Sequence, residues 1–269
     1  MAFDQAFFSI GRLDRLSYQD TFVHRLDPRV KVIATMLFIL TVVSFSKYEV
    51  ASLVPFLFFP VILMTLGDLP AGFLLKKVLI VSPFAIFIGI FNPFFDTRTA
   101  AVLFGVPLSA GWISFASILL KFLLTISAAL ILIATTSFPG VCQALRKLGA
   151  PALFVSQLLF LYRYLFTLLE ETMRIVRARD MRSFGKRGTG ARVAARIIGV
   201  LFLRTVERAE RVYQAMLSRG FRGEVPVLRR SGIGAADILF LLVTIAGLAV
   251  FRLFPIGAWA GRLAQEVFR

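Results

Sequence analysis

Two short stretches carry the best-formed polar motifs of the chain. RARDMRSFG occupies residues 177–185 and MLSRGFRGE residues 216–224. Each sets an arginine among small or turn-forming neighbours, as Ala178-Arg179-Asp180 and Ser218-Arg219-Gly220. A guanidinium is a planar fork that grips a carboxylate through two parallel hydrogen bonds, so the chemistry on offer is recognition rather than bond breaking. Residue types alone leave two readings open. A cation near a helix C-terminus meets the negative end of the helix dipole, a gain of about 0.3–1 kcal/mol. Alternatively, small neighbours let a helix end seat closely in a groove, with the arginine as its charged anchor.

Little else in the chain suggests catalysis. One histidine, His24, and one cysteine, Cys142, exclude an intrachain disulfide and cannot build a His/Cys metal site. The 15 acids are scattered. A membrane enzyme such as a lipid headgroup transferase needs clustered carboxylates for metal or acid–base work. Glu170-Glu171 is the one adjacent pair, and it reads as solvating the polar end of a helix. The G-x-x-x-x-G-K-[ST] pattern of a phosphate-binding loop is absent, and GKRGTG at 185–190 reads as a basic turn. No catalytic residue, metal site or cofactor is expected in this chain.

The elements that must position the arginines follow from composition. The 269 residues are 58% hydrophobic, include 29 Phe and have a mean hydropathy of +0.82. The apolar residues fall into runs long enough to cross a hydrocarbon core, which takes about 20 helical residues. The chain is an integral membrane protein, and its net charge of +16 fits basic cytoplasmic loops and anionic lipid rather than nucleic acid. LDPRVK at 26–31 prepares the first span, with Asp27 as N-cap and Pro28 as first helical residue. Spans are expected at 30–45, at 50–66 with a kink from Pro55 and Pro60, at 78–91 with a backward extension to Phe73, from Trp112 to about Ser137, and at 236–254. Residues 67–77 read as a cytoplasmic polar turn and 92–111 as an external loop. Lys121, alone in the fourth span, reads as snorkelling or facing water between helices. The N-terminus has no basic region ahead of an apolar core, so no cleaved signal peptide is expected; Phe3, Phe7, Phe8 and Ile10 suit a short interfacial helix.

Residues 139–233 differ in kind. They hold eighteen of the 31 Lys and Arg against six acids, so the segment reads as cytoplasmic. Three helices are expected there: 138–150, ended by Gly149; 152–183; and 191–218, ended by Gly220. The apolar half of the second, 152–169, either crosses the membrane or lies against it; Gln157, Arg163 and its length favour the latter. The fold class is therefore an all-α integral membrane protein with about five transmembrane helices, two long cytoplasmic helices and a short one. Its parts are an N-terminal membrane domain at 1–138, a cytoplasmic helical domain at 139–233, and a final span with its tail at 234–269.

With LDPRVK at 26–31, NPFF at 92–95, RARDMRSFG at 177–185 and RAERVYQAMLSRGFRG at 208–223, the chain resembles the transmembrane T component of energy-coupling-factor transporters, an ABC importer family, and within it the CbiQ-type subunit of cobalt/nickel importers. The likeness covers nearly the whole chain. It implies an X-shaped pair of coupling helices whose two Ala-Arg-Gly-like motifs dock into grooves of two ABC ATPases, here through Ala178, Arg179 and Asp180 and through Ser218, Arg219 and Gly220. It implies ATP and Mg bound by those ATPases. It implies a substrate-binding membrane subunit that is CbiM-like, with or without a CbiN-like small subunit, and a multi-pass place in the plasma (bacterial inner) membrane with the N-terminus and 139–233 cytoplasmic. Asp180 departs from the motif's Gly and adds a carboxylate able to pair with Arg179 or Arg182; Ser218 replaces Ala. A T component of a vitamin importer, for example for biotin, would look the same. So would the choice between a homodimeric and a heterodimeric ATPase pair. A stand-alone channel or carrier would need more than Lys121 and the prolines of the second span.

Overall fold

The computed structural model describes residues 16–95, 99–103, 106–182, 190–223 and 232–253. The expected interfacial helix near Phe3, most of the GKRGTG turn and the tail arginines Arg262 and Arg269 lie outside these residues. The described chain divides into two compact units. One spans 16–137 and 232–253 and is the membrane unit; the other spans 138–223.

The membrane unit opens with a single turn, α1 (Phe22–Arg25), and then α2 (Pro28–Val43). The start of α2 has a mechanical reason. Asp27 accepts the amide of Arg29 at 2.9 Å, and Pro28 takes the first position, where no donor is needed. Next come α3 (Val50–Leu53), a 3₁₀ turn at Val54–Leu57 and α4 (Phe58–Leu66). Pro55 sits at the start of that turn, so the expected irregularity of the second span is a one-turn tightening of the helical path. Asp68 closes α4 in the left-handed region at φ 49°, with Leu69 bonding back to Met64 at 3.0 Å.

α5 (Ala71–Gly89) begins inside the 67–77 stretch read from sequence as a turn and two residues ahead of the expected extension to Phe73, so Lys76 and Lys77 are helical. Pro70 supplies the entry, and an apolar Ala71–Leu75 continues the pattern. After α6 (Asn92–Phe95), the loop read as external contains an antiparallel hairpin of β1 (Thr99–Leu103) and β2 (Val106–Ser109). Its pairing runs Leu103 to Val106 and slips once between Thr99 and Ala101. α7 (Ala110–Thr135) is the central helix and touches α2, α3, α4, α5 and α6. It buries small residues, Ala110, Gly111, Ser114, Ser117 and Ala128, that let neighbouring backbones approach. α8 (Phe138–Lys147), α9 (Ala152–Arg182) and α10 (Ala191–Ser218) form the second unit, and α11 (Ala235–Leu253) returns to the first.

An aromatic cluster fills the core of the membrane unit. Phe38 stacks on Phe59 at 4.3 Å, while Phe56 meets Phe45 and Phe251 edge-on at 5.2 and 5.7 Å. Polar contacts fix both ends of α2. At its start, Lys31 donates to the Thr135 carbonyl at 2.8 Å, and Asp237 accepts the Asp27 amide at 2.7 Å. At its far end, Lys121 donates to the Phe45 carbonyl at 2.6 Å, and Arg252 donates to the Ser44 hydroxyl at 3.2 Å while lying over the Phe45 ring. Lys121 thus caps carbonyls past the end of a helix, where the sequence suggested an amine snorkelling or facing water between helices. His24 is locked as one tautomer: Nε2 donates to the Leu16 carbonyl at 3.0 Å and Nδ1 accepts from Thr21 at 2.7 Å. Burial holds its imidazole below the ordinary histidine range.

Four helices are long and apolar enough to cross a bilayer among the described residues: α5, α7, α9 and α11; Val50–Leu66 is a shorter apolar path. With α2 and the 50–66 path, α5, α7 and α11 make the five helical passes of an all-α membrane protein. Close packing between α5 and α7 is set by Gly89, where an added Cβ would lie 2.8 Å from the Phe115 ring. Gly89→Ile is expected to destabilise the detergent-purified protein by about 1–3 kcal/mol in thermal unfolding. Gly72→Ala, where a Cβ meets nothing within 4 Å, is expected to leave the melting temperature unchanged or slightly raised.

Candidate functional site

The second unit is built on two long antiparallel helices. Ser156 near the start of α9 donates to the Gly223 carbonyl beyond α10 at 3.2 Å, and Phe160 faces Phe221 at 6.1 Å. Further along, Glu171 accepts from Arg208 at 3.0 Å and from Arg204 at 3.3 Å. Between these contacts lies a cavity of about 510 Å³, lined by Phe160, Tyr164, Leu168, Tyr213 and Met216 among others. α8 packs on α9 through Phe138 stacked on Tyr162 at 4.9 Å. It buries Cys142, and burial pushes that thiol's pKa up, away from reactive thiolate.

Sequence reasoning missed Glu171. It read the Glu170-Glu171 pair as solvating a helix end. Glu170 is exposed, but the Glu171 side chain is only 17% exposed and is shared by two arginines. The signal was present: Arg204 and Arg208 are one turn apart and present a double positive charge on one face of α10. What hid it was the partner, a single carboxylate 33 residues earlier in the chain. The Glu207–Arg211 pair expected from spacing does form, at 3.9 Å, but both partners are mostly exposed and it adds little.

The two motif arginines end up well separated. Arg179 lies in the last turn of α9 and Arg219 at the C-cap of α10. Because Phe221 packs on Phe160, and Arg179 follows Phe160 by nineteen residues of one helix, they stand about 28 Å apart at 1.5 Å per residue. Arg179 is 27% exposed at its side chain and lies 3.8 Å from the Asp180 carboxylate, the pairing that the Asp in this motif made available. Ala178 beside it is half-buried.

Arg219, Ser218 and Gly220 are exposed. Gly220 adopts φ +77°, its amide donates to Leu217 at 2.9 Å, and Phe221 donates to Met216 at 3.0 Å. This pair of bonds back into the helix satisfies the Leu217 and Met216 carbonyls with backbone alone. Ser218 spends its hydroxyl on the Gln214 carbonyl at 3.0 Å. The Arg219 side chain has no hydrogen bond or ion pair among the described residues.

Both long helices leave apolar faces uncovered. No described residue of α10 is buried, and Ile198, Phe202 and Val206 form an exposed stripe at helical spacing. On α9, Leu153, Phe154 and Leu161 are exposed. Exposed apolar patches of this kind mark membrane or protein contacts. No three His, Cys, Asp or Glu side chains gather into a metal-binding group among the described residues.

Comparison with known proteins agrees with this geometry. The family model for CbiQ, described as cobalt transport protein, matches residues 19–228. An uncharacterized protein of Methanocaldococcus jannaschii is 31% identical over 247 residues, covering 87% of this chain and 83% of that one. The energy-coupling factor transporter transmembrane protein EcfT of Streptococcus thermophilus is 29% identical over 87% of this chain and 95% of its own. The cobalt transport protein CbiQ of Salmonella typhimurium is 30% identical over a shorter stretch, 38% of this chain and 46% of its own. The chain belongs to the CbiQ family: it is a multi-pass plasma-membrane protein and the transmembrane T component of an energy-coupling-factor transporter.

Proposed function

We propose that this chain couples two cytoplasmic ABC ATPases to a substrate-binding membrane subunit, with Arg179 and Arg219 as the two ATPase anchors. The observation that carries the reading is Arg219: an exposed guanidinium on a helix end whose own carbonyls are already capped. Arg179 stands about 28 Å away on the same helical unit, far enough for each arginine to meet a different ATPase. Ala178, Asp180, Ser218 and Gly220 frame the two anchors. ATP and Mg²⁺ belong to the ATPases, and this chain supplies leverage rather than catalysis. The apolar faces of α9 and α10 fit a mobile contact with the substrate-binding subunit or with lipid, because apolar surfaces slide without stranding polar groups.

Sidedness follows from the membrane unit. Asp237 joins the starts of α2 and α11, and Lys31 brings the end of α7 to the same place. The chain therefore leaves the membrane after Thr135 and re-enters before Asp237 on one side, and the stretch between crosses an even number of times. α10 carries Arg192, Arg196, Arg204, Glu207, Arg208, Glu210 and Arg211 and is unfit for a return crossing. α9 accordingly does not cross, in spite of its apolar first half, and its excess of arginine makes that side cytoplasmic.

Cobalt is the cargo we favour, supported by the description of the matched family and the likeness to the Salmonella protein. Nickel or a vitamin carried by a different substrate subunit fits the same coupling chain. Affinity isolation of the tagged protein from native membranes, followed by mass spectrometry, tests the reading. Two ABC ATPase copies with a small membrane subunit support it, and that subunit identifies the cargo; recovery of the chain alone, active in liposomes, overturns it.

Arg219→Ala is expected to leave membrane insertion intact and to weaken ATPase assembly by about 2–5 kcal/mol if the arginine meets a buried carboxylate. Unchanged complex recovery and uptake would count against that contact. Arg179→Lys should impair transport, since a point charge cannot replace a fork, and wild-type uptake would rule out a bidentate grip. Glu171→Ala leaves Arg204 and Arg208 without their shared carboxylate; a loss of about 1 kcal/mol in unfolding stability and a drop in uptake are expected.

A further inference from the structure

We infer that Asp27, Lys31 and Asp237 form one anchor through which the cytoplasmic helices pull on the membrane helices. The inference rests on the coupling reading above and adds the point at which the motion enters the membrane unit. The chain departs for α8 directly after Thr135 and returns directly before Asp237. Both attachment points are held by the same short stretch of α2 and its cap. The Lys31 ammonium donates to the Thr135 carbonyl at 2.8 Å and to the His24 carbonyl at 3.4 Å. Asp237 uses one oxygen for the Gly234 amide at the start of its own helix, at 2.8 Å, and the other for the Asp27 amide at 2.7 Å. Asp27 in turn caps α2 through Arg29.

All three side chains are buried: Asp27 is 3% exposed, Lys31 5% and Asp237 7%. In such surroundings a hydrogen-bonded charge holds a fixed geometry, because losing a partner strands a charge away from water. The other contacts of α2 with α7 and α11 in the core are apolar, through Phe38, Val42, Leu124 and Leu248. Apolar contacts tolerate small slips; the polar node does not. A displacement transmitted along either connection enters at the end of α7 or the start of α11, and the polar node passes it to α2 and so to the other of the two helices. Lys121 and Arg252 tie α2 to the same two helices at the opposite end. Asp27, Lys31 and Asp237 are positioning residues that set where leverage is applied.

The test uses the whole transporter in proteoliposomes, with cargo uptake and ATP hydrolysis measured on the same preparation. Lys31→Met combined with Asp237→Asn removes one charge of each sign, so the net charge of the node is unchanged. This double variant is expected to assemble and hydrolyse ATP as the wild type does, yet to import about tenfold less cargo per ATP. Asp237→Glu keeps the acceptor on a longer arm and is expected to lose about threefold in the same ratio, which keeps the test open if the double variant does not assemble. Arg252→Ala, at the opposite end, should leave the ratio unchanged. An unaltered cargo-to-ATP ratio in assembled variants would mean that the node serves folding alone and overturns the anchor. Wild-type preparations that hold no ATPase overturn the coupling reading itself, and the anchor with it.

Discussion

A backbone amide donating to a carboxylate 210 residues away closes the membrane unit: Asp27 to Asp237, at 2.7 Å. Burial gives this bond its weight, with Asp27 3% and Asp237 7% exposed. In a low-dielectric interior a lone carboxylate or ammonium is costly, so charges persist there only with partners. Two acids and a lysine meet at the start of α2, and each finds backbone groups to hold. The consequence is topological. α2 and α11 start side by side, α7 ends beside them, and the long arginine-rich insertion leaves and re-enters at that single end. The sidedness of the protein and the path of any mechanical coupling both descend from that closure.

The cytoplasmic helices are built on the opposite principle. α9 buries only Val155 and Ser156 among its described residues, and α10 buries none. Their mutual contact is apolar, leaves a sizeable cavity and is fastened by one carboxylate shared between two arginines. Core-like packing with full interdigitation resists relative motion; a loose apolar contact with one polar fastening leaves it possible. Glu171 joins the two helices through Arg204 and Arg208, and their outer apolar faces stay exposed. Rigid polar closure in the membrane and a single-point fastening outside it divide the labour a coupling subunit needs.

Much of this was legible because it depends on local rules. Asp27-Pro28 sets the start of α2, Gly149 and Gly220 stop their helices in the left-handed region, and a 3.6-residue period marks the long elements. The β1–β2 hairpin was not legible. It lies in a loop whose apolar residues, Ala100 to Phe104, run without the alternation that declares a strand, and a hairpin depends on pairing that no single segment encodes. Lys121 and Asp237 were opaque for a related reason. Lys121 was read as a lone charge in an apolar run and Asp237 was given no role, because the partner of each lies far along the chain: Phe45 for one, Asp27 for the other. Long-range polar pairing leaves no periodic trace in a sequence, so Glu171 was read as solvation.

The two motif arginines are not equivalent, and the geometry of helix ends separates the two readings of them. A cation stabilises a helix C-terminus because carbonyls there lack donors. At α10 those carbonyls have donors: Gly220 and Phe221 bond back to Leu217 and Met216, so backbone has already done the capping that Arg219 would otherwise explain. A long, exposed side chain with no hydrogen bond or ion pair among the described residues gains little within this chain and keeps its hydrogen-bonding capacity for another. Arg179 has a competitor in Asp180, whose carboxylate lies 3.8 Å away and must be given up or shared when a second carboxylate arrives. In the coupling reading proposed above, docking at α9 would exchange one partner for another, whereas docking at α10 would add a contact, and Arg219 is the end at which an ATPase would gain more for the same contact.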